Sequence, residues 1–517
     1  MTLPVFSLLS PLVVLSMALV FTRHTGRRPG LLPRMAEAAT LGALGLALGG
    51  ALQLLISGPA NMALMGDVLA VRLDAVSATM TVLVAFVGWV VVRYSRSYLD
   101  GEAREGAFHG WMLAALASVL LLVQAASLPM LIACFVAIGL VMRQLLLFYP
   151  DRPEARRAAA KFSLVWGAGD AALVLATLLL VQSYGSVSLA VLNAAAAEGL
   201  TPMGHAAVAL VVLSAVFKTA AFPLHGWLTE VMEAPTPVSA LLHAGIINAG
   251  GMLLIVTSGL IQASAGAMAA LVMLGGLTAL FGAVVMLTQS AVKTALAWST
   301  VAQMGFMLLQ CGLGLWALAL LHIVAHSLYK AHAFLSSGGA IQAVLAVRRP
   351  GPIAAPDLSA VGKSFALALA LYALVALGFA ATLGPKSAQA LALGAILIFG
   401  VAYLVAQGLA DAAPKALTLR TLAASLGAAV AYFAFHTLAE ALWAAHLPAP
   451  PVAGPLEWAL IVLAVLSFGG VAVAQALFPL WAHHPATAGL RVHIANGLYL
   501  NALLDRAIGG LRVTLKH

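Results

Sequence analysis

Residues 217–245 read FKTAAFPLHGWLTEVMEAPTPVSALLHAG. Pro223, Pro235 and Pro237 each remove a backbone donor from a stretch otherwise apolar enough to be buried. Lys218, His225, Glu230, Glu233 and His243 place ionisable groups around the same interruptions. Freed backbone groups at membrane depth are tolerated only inside protein or beside a wet cavity. Broken helices near the midplane are the usual place where transporters handle ions. The segment therefore predicts interrupted membrane spans in a protein interior, with proton-exchanging side chains gathered at the break. Each such group responds to its neighbours, so a proton at one site shifts the next.

The rest of the chain supports a membrane reading. Of its 517 residues 63% are hydrophobic and 8% charged, and the mean hydropathy is +1.04. Soluble domains carry about 25% charged residues, so lipid must solvate most of this surface, and a soluble enzyme is excluded. Apolar stretches long enough for a core of about 30 Å occur at 3–21, 36–57, 73–92, 108–127, 129–149, 160–183, 205–224, 236–258, 268–288, 294–312, 315–339, 364–383, 388–410, 421–443 and 456–479. None shows the alternation of an outer-membrane strand. The expectation is an all-α polytopic membrane protein with about 13–15 transmembrane helices. Met1–Phe21 lacks a basic start and a small-residue cleavage site, and reads as a retained first span.

Net charge is +9, and its placement orients the chain instead of suggesting nucleic acid. Under this span count all but four of the 26 Lys and Arg residues fall on one side, Lys161 with the loop arginines 152–157 and Lys293 among them. Arg72 and Lys386 lie opposite, and Lys218 and Lys330 lie within spans. The positive side is cytoplasmic by the usual rule, which puts the N-terminus outside and the tail inside a bacterial cytoplasmic membrane. After Trp481 polar and apolar residues alternate, as in an amphipathic segment lying on the membrane or on a partner.

An ionisable group within a span costs roughly 2.5–3.5 kcal/mol and is a functional candidate by default. Asp170 stands mid-span in VWGAGDAALVLA, either functional or bonded structurally to a neighbouring helix. Lys293 opens KTALAWSTVAQMG, either functional or reaching to the headgroups. His322, His326 and Lys330 share one helix face at i, i+4 and i+8. A zinc pair at His322 and His326 lacks a third ligand. His24, His109, His436 and His446 read as interfacial. The two cysteines, Cys134 and Cys311, cannot supply an iron–sulfur ligand set, and no GxGxxG element is present. No metal or cofactor is expected in this chain. FKTAAF at 217–222 is similar to YKAHAF at 329–334, aligning Lys218 with Lys330, but six residues do not establish a duplication.

With Lys218 five residues before its Pro223, PLHGWLTEVMEAPTPVSALLHAG resembles the signature of the antiporter-like proton-translocating family. That family includes the L, M and N subunits of respiratory complex I and the large Mrp antiporter subunits. KTALAWSTVAQMGFM and HIVAHSLYKAHAFLSSG are similar to its following motifs, and the resemblance spans roughly 110–410. It implies two inverted five-helix repeats, a broken helix in each, and a row of buried Lys, His and acidic residues. Lys218 matches the central lysine of the first repeat and Asp170 the GD position before it. His225, His243, Lys293, His322, His326 and Lys330 match polar positions of that axis, and Lys386 the terminal-repeat lysine. The implied organisation is 1–107 as leading helices, 108–410 as the translocating core, 411–480 as closing helices and 481–517 as a cytoplasmic tail.

One departure matters. Where complex I and Mrp subunits carry a glutamate paired with the central lysine, this chain has Phe135-Val136-Ala137. That loss, the FYPDRP loop and the tail HIANGLYLNALLDR resemble the membrane subunits of two-part bacterial systems that accumulate inorganic carbon. The resemblance implies a cation-conducting subunit without chemistry of its own, and a large soluble zinc protein related to β-carbonic anhydrases as cytoplasmic partner. Ion flow would then make CO2 hydration in the partner run one way and trap bicarbonate. A complex I, Mrp or membrane hydrogenase subunit is the second reading, and a non-conducting anchor the third.

Overall fold

The computed structural model describes residues 3–230, 234–339, 357–408, 415–477, 481 and 484–507. Among the described residues every apolar stretch named above overlaps a helix, although 205–224 runs past the helix end at Lys218. The order begins α1 (Val5–Phe21), α2 (Leu32–Ser57), β1 (Ala60–Met65), β2 (Leu69–Leu73), α3 (Ala75–Tyr98), α4 (Glu105–Gln124), α5 (Leu128–Leu146) and α6 (Pro153–Tyr184). Next come α7 (Leu189–Ala196), α8 (Pro202–Lys218), α9 (Gly226–Thr229), α10 (Thr236–Ala244), α11 (Ala249–Val256), α12 (Ser258–Gln262), α13 (Ala265–Met286), α14 (Val292–Gly312) and α15 (Trp316–Leu335). The chain closes with α16 (Leu358–Leu383), α17 (Ala388–Gly408), α18 (Lys415–Trp443), α19 (Pro455–Ala476), α20 (Ala488–Ala495) and α21 (Leu500–Ala507). Among the described residues, 11 helices are long and apolar enough to cross a membrane, counting α10 and α11 as one interrupted span, Thr236–Val256. Val5–Phe21, Pro202–Lys218 and Ala388–Ala402 are shorter apolar helices.

Local sequence explains where these helices start. Asp74 and Ser77 cap α3 reciprocally, Ser127 accepts from Met130 N at α5, and Thr201 accepts from Gly204 N at α8. Each cap satisfies a donor that the first turn leaves free. Among the described residues the only named strands are those of the antiparallel β1–β2 hairpin, in the α2–α3 connection. It holds Arg72, which ion-pairs with Asp74 at 3.2 Å.

Two cores form. The larger joins α1–α6 to α8, α10, α11 and one side of α13–α15. The smaller packs the other side of α13–α15, through Leu309, Leu313 and Leu318, against Tyr372, Leu393, Phe433 and Leu460 of the closing helices. The interrupted span Thr236–Val256 lies deepest, with 94% of its apolar window buried against 22% for Leu32–Ser57. Trp443 at the end of α18 reaches back to donate to Thr79 of α3 at 3.0 Å.

Three sequence expectations need correction. Lys161 is not a loop residue, because α6 runs from Pro153 through it, and its side chain is 0% exposed. His109 and His436 are core residues and not interfacial ones. The tail does not merely lie on lipid or a partner, since Asn501 and Asp505 return to the chain's own interior.

Candidate functional site

The first break is built where α8 ends at Lys218. Ala220 takes a positive φ of 50°, Pro223 prevents helix continuation, and only the single turn of α9 follows. Next to this end, Gly169 lets α6 come close. A β-carbon there would stand 3.3 Å from Phe217 Cβ and 3.5 Å from Lys218 Cε. The residue after that glycine is Asp170, which accepts from Lys218 Nζ at 2.5 Å. The lysine is fully buried. Its ammonium also lies 4.4 Å from the Phe135 ring centre and 4.2 Å from that of Trp166. Trp166 Nε1 donates to the Phe135 carbonyl at 2.9 Å, which holds the two rings together.

This changes the expectation for the central lysine. Its glutamate is missing from the 129–149 helix, yet it does not lack a counter-ion. Asp170 and the Trp166 ring come from α6, and the Phe135 ring comes from α5. A desolvated cation over aromatic rings gains about 2 kcal/mol, and the carboxylate offsets much of the remaining burial cost.

A second group lies on α10, α14 and α15. Lys330 is also fully buried, but its partners are neutral. It donates to Ser299 Oγ and to the Leu296 carbonyl at 3.1 Å. No carboxylate pairs with it among the described residues. His243 bonds Thr300 at 3.0 Å and stacks on Phe334 with ring centres 4.3 Å apart. Asn248 donates to Ser327 at 2.9 Å. His322 and His326 lie one turn apart with rings at 6.0 Å. They face a cavity of about 730 Å³ whose lining includes Gln303, Gln310, Tyr329 and Tyr432. Nε2 of His322, Nε2 of His243, Nδ1 of His225 and both nitrogens of His326 have no protein hydrogen-bond partner among the described residues. Buried polar nitrogens in this condition call for bound water. The two groups thus hold a lysine paired with a carboxylate and a lysine paired only with dipoles.

The other candidates stand apart from these two groups. His225 is enclosed by Phe222, Phe281 and Trp298, with the Trp298 ring 4.8 Å away. Glu230 accepts from Lys161 at 2.6 Å and does not contact Lys218. Lys293 donates to Thr236 Oγ1 at 2.9 Å, so it is bonded within the protein. Lys386 pairs with Glu440, which in turn meets His436 at 3.2 Å. Glu233 lies outside the described residues. Among the described residues no group of three or more His, Cys, Asp and Glu side chains could hold a metal ion.

Residues 125–384 match the family described as NADH:quinone oxidoreductase/Mrp antiporter, transmembrane, and residues 68–109 match the N-terminus of complex I chain 5. The chain is 37% identical over 470 residues to the probable inorganic carbon transporter subunit DabB2 of Halothiobacillus neapolitanus, covering 87% of this chain and 81% of that protein. It is 42% identical over 291 residues to the probable inorganic carbon transporter subunit DabB of Hydrogenovibrio crunogenus, covering 56% of each. Subunit L of the NADH-quinone oxidoreductase of Mycobacterium tuberculosis is 36% identical over 276 residues, 53% of this chain and 44% of that protein. In structure the chain resembles the Mrp complex from Dietzia, with a TM-score of 0.64, 23% identity, and coverage of 97% of this chain and 59% of that one.

Proposed function

The chain belongs to the transmembrane family of NADH:quinone oxidoreductases and Mrp antiporters, within its branch of DabB-type inorganic carbon transporter subunits, and from that premise we propose that it conducts H⁺ across a bacterial cytoplasmic membrane to drive a soluble partner. The observation that carries the reading is the Lys218–Asp170 pair, buried at 2.5 Å against an interrupted helix. A permanent salt bridge at such depth gives little stability, whereas a pair that exchanges a proton with its neighbours has a use. A proton brought to the pair neutralises Asp170 and frees Lys218 to give up its own proton. His243, His326, His322 and Lys330 offer the onward acceptors, with the cavity beside His322 and His326 giving room for water.

The partner in this proposal is a DabA-type zinc protein related to β-carbonic anhydrases, docked on the basic, cytoplasmic side with the C-terminus. Zinc and CO2 hydration belong to that partner, and this chain supplies the ion flow that makes hydration run toward bicarbonate. The terminal orientation rests on the distribution of basic residues. The absence of the complex I and Mrp glutamate near Val136 supports this reading over a subunit of a complex I, Mrp or hydrogenase assembly.

Affinity purification of the tagged chain from its native host, followed by metal analysis, tests the proposal. A stoichiometric zinc protein is expected. Recovery of quinone-reductase or hydrogenase subunits in its place would establish the second reading.

A further inference from the structure

The most unusual charge cluster outside the central path joins the interior to the far end of the chain. Lys161 Nζ, fully buried on α6, meets Glu230 Oε1 at 2.6 Å, Asp505 Oδ1 at 2.6 Å and Asn501 Oδ1 at 2.7 Å. Asn501 Nδ2 donates to the same Glu230 oxygen at 2.5 Å. One lysine therefore carries two carboxylates, one from the helix break and one from the tail.

The position is informative. Lys161 precedes Asp170 by nine residues on one continuous helix, about 13 Å along the axis, toward the end that bears Arg152, Arg156 and Arg157. The tail covers the break at other points as well. Gln289 donates to the Ala495 carbonyl at 3.2 Å. Gly497, at φ +57°, approaches so closely that an added β-carbon would stand 3.1 Å from the Trp298 ring and 4.0 Å from His225 Nε2. Gly226 leaves room for Asn501, whose side chain a β-carbon there would strike.

The tail packs Ile494 against the larger core and makes its bonded contacts through polar groups. Asn501 and Asp505 share one face of α21, α20 buries no side chain, and Asp505 is the residue α21 buries. Leu490, Val492 and Leu503 are 54%, 52% and 60% exposed. The tail holds on through an ionic clasp and turns these apolar side chains outward.

We infer that residues 484–507 are a gate over one end of the ion path, closed by the Lys161–Glu230–Asp505–Asn501 clasp. Releasing the clasp removes Asp505 from Lys161, leaves a simple Lys161–Glu230 pair, and uncovers His225 in the break that follows Lys218. The inference rests on the proposed ion conduction and adds the element that controls it.

A cross-link tests it in the purified full complex reconstituted in vesicles, with H⁺ flux read by a trapped pH dye. An ideal β-carbon on Gly226 lies 3.5 Å from Asn501 Cβ, within the range of about 3.5–4.5 Å that a disulfide spans. Gly226→Cys with Asn501→Cys, once oxidised, should abolish flux, and reductant should restore it, while each single variant conducts when oxidised. Flux that persists through a fully oxidised double variant overturns the gate. Should the double variant fail to assemble, Asp505→Asn should raise passive H⁺ leak, and an unchanged leak overturns it equally. Lys218→Ala in the same vesicles separates the two ideas, because its loss of flux sustains the conduction reading whatever the gate does.

Discussion

Lys218 donates to Asp170 from the last turn of one helix to the middle of another, at 2.5 Å, and Gly169 is what lets the two backbones come close enough. The pair faces aromatic rings on its other side. Charge is thus balanced from α6 alone, in a family whose complex I and Mrp members are expected to balance it from α5.

Asp170→Ala should leave an unpaired ammonium in the interior and destabilise the protein by about 3–5 kcal/mol. Thermal unfolding of the purified protein in nanodiscs measures it. The double variant Lys218→Ala, Asp170→Ala should recover most of that stability but conduct nothing. Equal stability of the Asp170→Ala and double variants would mean the two residues are not coupled.

Phe135→Leu removes one ring from the lysine while keeping an apolar side chain. The expected loss is about 2 kcal/mol from the desolvated cation–π contact, together with a reduced proton flux in reconstituted vesicles. Wild-type flux in this variant would show that Phe135 only fills space.

The helices were legible because apolar runs of membrane length act locally, although among the described residues 11 are long and apolar enough to cross, against the 13–15 expected. The Lys218–Asp170 pairing was half legible. Both residues stand out as costly in lipid, but sequence spacing does not say which helices adjoin. Trp166 and Phe135 were invisible as cation partners, since in an apolar run they read like any other packing residue. Lys161 was misread because basic residues at a span boundary usually face water. A signal was available in α6, whose 32 residues exceed what a perpendicular crossing needs. The partners of Lys161, Asn501 and Asp505, lie hundreds of residues away, and no local rule brings them back.

His326→Ala and Lys330→Ala, each alone, should abolish growth that depends on carbon accumulation at ambient CO2 while the subunit still assembles with its partner. Growth rate and co-purification read the two effects separately. Normal growth in both variants would remove α15 from the path.

Gly305→Val should lower the yield of folded protein sharply, because α13 and α14 touch backbone to backbone there. A β-carbon on Gly275, directly opposite, would already stand 2.7 Å from the Gly305 carbonyl. Small residues at such crossings replace the hydrophobic drive that lipid does not provide. Size-exclusion profiles of detergent extracts would reveal the loss, and a normal monodisperse peak would refute tight packing at this crossing.

The span Thr236–Val256, with nearly all of its apolar window turned inward, has a consequence for the environment in which the protein works. Helices that meet acyl chains adjust tilt when bilayer thickness changes, and Leu358–Leu383 and Pro455–Ala476, at 17% and 28% buried, will do so. His243 and Asn248 ride on the span that, among the described residues, other helices sheathe most fully. Conduction past them should stay constant across vesicles of differing lipid chain length, while the outer helices absorb the mismatch.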